Sequence, residues 1–201
     1  RRDRDAAEAM VAEFTATFDE PDDPPLISAA GILDASRRGA NVVLVDARTP
    51  EEQSVSIIPG AISANRFQAS VRPRLKEAPD PKPLVVPYCA NGYRSGLFCR
   101  DLVREHGVKN VRNSQGIILW TFDGAHLVLP PGDFDLGEPC GLAPKETPAR
   151  QVHVYTRAWD YAADGYMTVF FVKQPGKFTL WWKVVWGKML SLCTGGARDM
   201  E

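Results

Sequence analysis

Residues 84–95 read Leu-Val-Val-Pro-Tyr-Cys-Ala-Asn-Gly-Tyr-Arg-Ser, and they determine the class of fold. The apolar run that ends at Cys89 predicts a strand buried on both faces of a parallel sheet, with Cys89 as its last residue. Apolar residues then recur at helical spacing over residues 95–105, which predicts a helix with Ser95 as its N-cap. A short loop joins the two elements, and Gly92 within it can adopt the positive φ that a sharp turn requires.

Strand and helix patterns alternate along the rest of the chain. Strands are predicted at 26–27, 41–46, 61–64 and 108–111, and helices at 1–18, 28–38, 66–77, 116–122 and from Thr49 onward. Ser28 and Thr49 are the predicted N-caps, and Glu51 and Glu52 suit the dipole of their helix. The alternation predicts an α/β fold, an open parallel sheet with helices on both faces. Ligands bind beyond the carboxyl ends of such strands, where Cys89 is placed.

The loop after Cys89 has the features of an anion-binding nest. A curled loop that leads into a helix turns successive backbone N–H groups inward, and their positive field favours a thiolate over a thiol. Arg94 adds a permanent charge and a planar fork suited to a pair of oxygens on thiosulfate or a sulfonate. The alternative is that Cys89 is a small buried apolar residue, as most free cysteines are. The strand–loop–helix context, with Arg94 five residues on, favours the nucleophile.

The spacing of Cys89 and Arg94 resembles the C-x4-R active-site loop of the rhodanese-like domain family. Two further matches to that family lie in the same order and at the same spacing: residues 45–52 together with 58–61, and residues 107–120. The chain departs from the family pattern at Ile57, where His is common, and at Ile117, where a second Gly is usual. The related dual-specificity phosphatases have one more residue in this loop, so the resemblance favours sulfur transfer over phosphate chemistry.

The resemblance covers residues 26–130 and implies a rhodanese-like domain, preceded by an N-terminal helix and acidic linker over 1–25 and followed by a C-terminal extension over 131–201. It implies a sulfurtransferase in which Cys89 takes sulfane sulfur from thiosulfate or a persulfide donor, and Arg94 orients the donor. The predicted substrate-binding residues are Ala90, Asn91, Gly92, Tyr93 and Ser95. The alternative is a non-enzymatic rhodanese-fold module that binds a partner or senses redox state. The expected partners of the enzyme are a small sulfur donor and a thiol or cyanide acceptor.

Composition restricts the remaining classes of function. The net charge of −1 gives no indication of nucleic acid as a partner. The four cysteines and three histidines lack the spacing of metal ligands, and neither a metal nor a cofactor is predicted. The scattered cysteines favour an intracellular reducing compartment, the cytoplasm or an organelle. The first residue is Arg1, which indicates a fragment or a processed chain.

Two C-terminal segments remain to be placed. Residues 152–166 are predicted to dock on the domain. Residues 178–192 contain three tryptophans with flanking lysines. This second segment fits either a weak contact with a membrane surface or packing against the domain.

Overall fold

The computed structural model describes residues 4–123, 126–131 and 147–171. Its helices are α1 (Arg4–Thr15), α2 (Ala29–Arg37), α3 (Pro50–Val55), α4 (Ala64–Arg66), α5 (Tyr93–Arg104) and α6 (Ile117–Trp120). Its strands are β1 (Leu26–Ile27), β2 (Val42–Asp46), β3 (Ile62–Ser63), β4 (Leu84–Tyr88), β5 (Asn113–Ser114), β6 (Leu127–Val128), β7 (Pro148–Ala149), β8 (Gln151–His153) and β9 (Met167–Val169). Further helical turns over residues 67–74 continue α4.

The sheet is parallel, and the two strands predicted from long apolar runs lie at its centre. β2 pairs with β3 on one side and along its whole length with β4 on the other. A parallel bridge between Val85 and Val111 connects β4 to the segment that leads into β5, and β5 pairs with β1. The strand order is therefore β3-β2-β4-β5-β1, and the predicted open parallel sheet is confirmed.

Helices cover both faces of the sheet. Leu84, Val86 and Tyr88 of β4 belong to one core cluster, together with apolar residues of α1, α2 and α6. Val85 lies in a second cluster with Phe98 and other residues of α5. Successive residues of a strand point to opposite faces, so these two clusters are the two sides of the sheet. The continuous apolar run of β4 exists because both of its faces are buried.

Three local predictions need correction. The strand ends at Tyr88 rather than at Cys89, because the Cys89 carbonyl accepts a hydrogen bond from the Ile117 N–H, 2.8 Å away. The following helix begins at Tyr93 with Gly92 as its N-cap, so Ser95 lies inside the first turn and does not cap it. The strand predicted at 108–111 is displaced to 113–114, where β1 provides its partner.

Outside the central sheet, the structure describes two further pairs of strands. β6 and β7 form an antiparallel pair, and β8 and β9 a parallel pair. Val152, Val154 and Ala162 are fully buried in the core cluster that contains α1, which confirms the docking predicted for residues 152–166. Residues 178–192 lie outside the described residues. No helix in the described part of the chain has the length and apolar character needed to cross a membrane.

Candidate active site

Cys89 lies directly beyond the carboxyl end of β4 and is fully buried. Two polar side chains contact its sulfur. The thiol donates to Asn91 Oδ1 at 3.8 Å, and the Ser95 hydroxyl lies 3.6 Å from the sulfur as a donor. Ser95 is itself oriented by Asn113, whose Oδ1 accepts from the hydroxyl at 2.8 Å. The sulfur therefore has a donor and an acceptor within reach, and it can be held in either protonation state.

The loop is held in one conformation by close packing. Gly92 has φ +89°, and a Cβ on it would lie 2.8 Å from Thr15 Cγ2 and 3.2 Å from the Ser114 carbonyl oxygen. Gly116, also at positive φ, lies against the backbone of Ala90 so closely that any side chain would overlap it. The Gly92 carbonyl accepts a hydrogen bond from Asn113 Nδ2 at 2.8 Å. Only glycine meets the conformational and steric demands at both positions.

Arg94 does not extend freely toward the space above the sulfur. Its two terminal nitrogens donate to the two carboxylate oxygens of Glu52, at 2.7 and 2.8 Å. The side chains are 12% and 4% exposed, respectively. Such a bidentate pair has a fixed geometry. The predicted fork for donor oxygens is thus engaged by a carboxylate of the protein itself.

Glu52 is the centre of this network. It also accepts from the Thr49 backbone N–H at 3.0 Å, within the capping box of α3, and its Oε1 lies 3.0 Å from His153 Nδ1. The same His153 Nδ1 lies 3.3 Å from the Tyr155 backbone N–H. Burial alone raises the pKa of Glu52, but hydrogen bonds from Arg94 and His153 outweigh it and hold the pKa well below its usual value. Glu52 is therefore a permanent negative charge beside the loop.

A second buried ion pair supports the first. Arg48 donates to both oxygens of Asp46, at 2.6 and 2.9 Å, and the Tyr88 hydroxyl donates to Asp46 Oδ2 at 2.7 Å. Gln53 Nε2 donates to the backbone carbonyls of Asp46 and Arg48. These contacts fix the turn from β2 into α3, and that turn places Glu52 opposite Arg94. Asp46 and Arg48 are thus bound to each other inside the protein and stabilise this turn.

Aromatic side chains pack against Tyr93 and Arg94 at the end of the loop. The Tyr93 ring contacts Phe14 and Phe18, with ring centroids 6.2 and 5.9 Å apart. Phe14 in turn packs edge-on against Trp159, with 4.9 Å between ring centroids. Tyr155 stacks on Trp159, and Arg94 lies over the Tyr155 ring at 5.4 Å. Tyr93 and Arg94, the last residues of the loop, therefore lie against aromatic side chains.

The second described cysteine differs from Cys89. Cys99 is buried on α5, and burial together with the nearby Cys89 raises its pKa well above its usual value. A thiol held neutral is a poor nucleophile. Among the described residues, no three His, Cys, Asp or Glu side chains are grouped as the ligands of a metal would be.

Sequence reasoning placed Cys89 and its loop at the end of a central strand, but it missed three residues that the fold brings beside them. Glu52 was expected only to interact favourably with the helix dipole. The capping-box pattern of Thr49 and Glu52 was the signal that could have drawn attention to Glu52. Asn113 and His153 gave no comparable signal, since each meets its partner only in the folded chain. His153 lies in the segment whose docking was predicted without any role at the site.

The model of the rhodanese-like domain family matches residues 29–118. A sulfurtransferase from Allochromatium vinosum is 36% identical over 93 residues, which are 46% of this chain and 83% of that protein. Thiosulfate sulfurtransferase from Pseudomonas aeruginosa is a solved structure with 27% identity and a TM-score of 0.44, covering 62% of this chain and only 22% of that one. The polysulfide-sulfur transferase from Wolinella succinogenes has 27% identity and a TM-score of 0.39, covering 59% of this chain and 88% of that one.

Proposed function

This chain belongs to the rhodanese-like domain family, and on that premise we propose that it is a sulfurtransferase that carries sulfane sulfur as a persulfide on Cys89. The observation that carries the proposal is the position of the Cys89 sulfur. It lies at the carboxyl end of β4, within reach of the Ser95 hydroxyl and the Asn91 amide. The A. vinosum relative, which the chain covers over most of its length, is a sulfurtransferase.

In the first step, the Cys89 thiolate attacks the outer sulfur of the donor. A bond forms between the Cys89 sulfur and the sulfane sulfur, the sulfur–sulfur bond of the donor breaks, and the donor leaves with the electron pair. The Ser95 hydroxyl can turn from Asn113 to the sulfur and stabilise the thiolate before attack. A hydrogen bond to a charged acceptor is stronger than one to a neutral acceptor, which favours this turn.

In the second step, a thiophilic acceptor such as a thiol or cyanide removes the outer sulfur and restores the Cys89 thiolate. Between the two steps, backbone N–H groups of the loop after Cys89 and the side chain of Asn91 hold the persulfide. Within the described part of the chain, the buried Asn91 Nδ2 has no hydrogen-bond partner. It is therefore a donor available to the transferred sulfur. Two-step covalent transfer predicts ping-pong kinetics.

In this mechanism Arg94 is a positioning residue. Its pair with Glu52 joins the start of α5 to α3 and thereby fixes the loop between β4 and α5. The charge of Arg94 still acts on the sulfur through space, but it is opposed by the carboxylate of Glu52. This assignment replaces direct orientation of the donor by Arg94.

One observation favours the alternative function, a module that binds a partner or senses redox state. Cys89 has no exposed surface in this structure. In an enzyme, side chains around the loop must move aside before a donor can reach the sulfur. In a binding module, they would stay closed.

Intact mass after incubation with a sulfur donor separates the two functions. We expect the wild-type chain and Cys99→Ser to gain the mass of one sulfur atom, and Cys89→Ser to gain none. Of the two cysteines that the structure describes, Cys89 has a stabilising donor beside it, whereas burial raises the pKa of Cys99. Cyanide should then remove that mass. Uptake by Cys89→Ser equal to the wild type would show that another residue is the nucleophile. No uptake from thiosulfate or from an alkyl persulfide would favour the binding module.

A further inference from the structure

We propose that a cavity at the opposite end of β4 from Cys89 binds a small organic phosphate. Two stretches of the chain contribute its walls: residues within 72–83, which precede β4, and residues 105–110, which follow α5. We call it the basic cavity. The inference concerns a second site and does not rest on the sulfurtransferase function.

Cations outnumber carboxylates around the basic cavity. Among the described residues that line it, one carboxylate, that of Glu105, faces four cations: Arg72, Lys76, Lys82 and Lys109. The wider neighbourhood has the same excess, because residues 72–83 and 101–112 together contain seven cations and four carboxylates. The C-terminal end of α5, which also reaches the cavity, adds only about half a negative charge. Since the whole chain has a net charge of −1, this surplus of positive charge is local.

The Arg72 guanidinium has an edge suited to a phosphate. Its Nη1 lies 2.7 Å from His106 Nδ1, and because a guanidinium only donates, the His106 nitrogen accepts in this contact. The Arg72 Nε is buried, and within the described part of the chain it has no hydrogen-bond partner. Nε and Nη2 form the edge with which a guanidinium binds two oxygens of one phosphate. A phosphate at this edge would give the buried donor the partner that it lacks.

Two lysines add charge from the two walls of the basic cavity. Lys76 and Lys109 are exposed, and no carboxylate of the described residues lies within ion-pair distance of either. Lys82 is more constrained, because its Nζ donates to the carbonyls of Lys76 and Ala78 at 3.2 and 2.6 Å. An anion between the walls therefore meets a free ammonium group on each side.

The size of the cavity and its apolar residues favour an organic phosphate over a bare ion. The volume is about 660 Å³, within the range of about 300–1,000 Å³ that small-molecule sites have. Pro73, Leu75, Pro83 and Val108 also line it. Leu75 and Val108 pack against the core cluster on the α5 side of the sheet, which fixes this part of the wall. A ligand with a phosphate and an apolar body would use both kinds of surface.

The test is calorimetric titration of the full chain with three probes, in the absence of divalent cations. The probes are adenosine diphosphate, adenosine and inorganic phosphate. We expect adenosine diphosphate to bind at least about tenfold more tightly than either of the others, because it alone meets both the cations and the apolar wall. Cys89→Ser should bind it as the wild type does, so loss of sulfur transfer and loss of this site are separate results.

Three variants locate the bound phosphate. We expect Arg72→Gln to lower the affinity for adenosine diphosphate by at least about tenfold, since a charge-assisted contact is lost. Lys109→Gln, an exposed substitution that leaves the core intact, should lower it by about threefold. Arg74→Gln is the matched control, because Arg74 is exposed on the same segment but does not line the cavity. It removes the same charge and should change the affinity by less than about twofold.

Four results would overturn the proposal. The first is a wild type that binds adenosine diphosphate no more tightly than adenosine or inorganic phosphate. The second is wild-type affinity in a folded Arg72→Gln variant, which would place the ligand elsewhere, for example at the loop after Cys89. The third is wild-type affinity in Lys109→Gln, a result that is decisive even if Arg72→Gln does not fold. The fourth is an equal loss in Arg72→Gln and Arg74→Gln, which would indicate diffuse attraction of the kind that polynucleotides show.

Discussion

The Glu52–Arg94 pair is expected to be strongly coupled, and a double-mutant cycle measures that coupling. Both side chains are almost fully buried, and two hydrogen bonds of 2.7 and 2.8 Å join them. Arg94→Met leaves the carboxylate of Glu52 with His153 as its remaining side-chain partner, and we expect it to lower the free energy of unfolding by about 3 kcal/mol. Glu52→Gln keeps part of the hydrogen bonding and should cost about 2 kcal/mol.

The variant with both substitutions has no buried unpaired charge at this position. We therefore expect it to lose about 2 kcal/mol less than the sum of the two single losses. Unfolding in urea at pH 7, followed by circular dichroism, gives the three free energies. The structure provides a control in the Arg38–Asp34 pair at the C-terminal end of α2, which has a similar distance of 2.8 Å but side chains 73% and 50% exposed. Its coupling should stay below about 0.5 kcal/mol.

The result that refutes this reasoning is a coupling between Glu52 and Arg94 as small as that of the control pair. It would mean that the Glu52 carboxylate and the Arg94 guanidinium are solvated in solution. The pairing by which Glu52 opposes the charge of Arg94 would then lose its structural basis. Equal m-values for all variants are the check that the substitutions leave the folded and unfolded states comparable.

Two further predictions concern Ser95 and the pH dependence of stability. Ser95→Ala removes the donor to the Cys89 thiolate, and we expect persulfide formation to slow by about 10- to 100-fold. Ser54→Ala, on the exposed side of α3, is the control. An equal rate of persulfide formation in the two variants would exclude this role for Ser95. Folding lowers the pKa of Glu52. The stabilisation that ionised Glu52 gives the folded state is therefore fully present above the pKa of Glu52 in the unfolded chain, about 4.3, and is lost as the pH falls. The difference in unfolding free energy between the wild type and Glu52→Gln should therefore be constant from about pH 7 to about pH 5 and shrink below about pH 4. Urea titrations across that range measure it, and a difference that grows on acidification would contradict the assignment.

Features that depend on near neighbours in the chain were predictable. Ser28 caps α2, and Thr49 forms a capping box with Glu52, because both contacts span three residues of backbone. The apolar runs of β2 and β4 identified the central strands, since only a strand covered on both faces is apolar without alternation. The placement of Cys89 at the carboxyl end of β4 followed from the same pattern.

Element boundaries were less predictable where distant backbone groups compete. The strand stops at Tyr88 because the next carbonyl bonds to Ile117, and β5 lies at 113–114 because β1 is there to pair with it. Neither partner is near in the sequence. Local propensity contains no information about such competition.

The amino-acid sequence alone determined the order of strands and helices along the chain and the position of Cys89 and its loop at the end of a central strand, because these depend on hydrophobic period and on a short spacing of residues. Only the tertiary structure decided the charge of the site. Glu52 and Arg94 are 42 positions apart, and His153 lies still further along the chain, yet the three side chains meet beside Cys89. Whether a charged side chain faces a substrate or a partner within the protein depends on which elements the fold brings together, and a spacing rule along one chain does not contain that information.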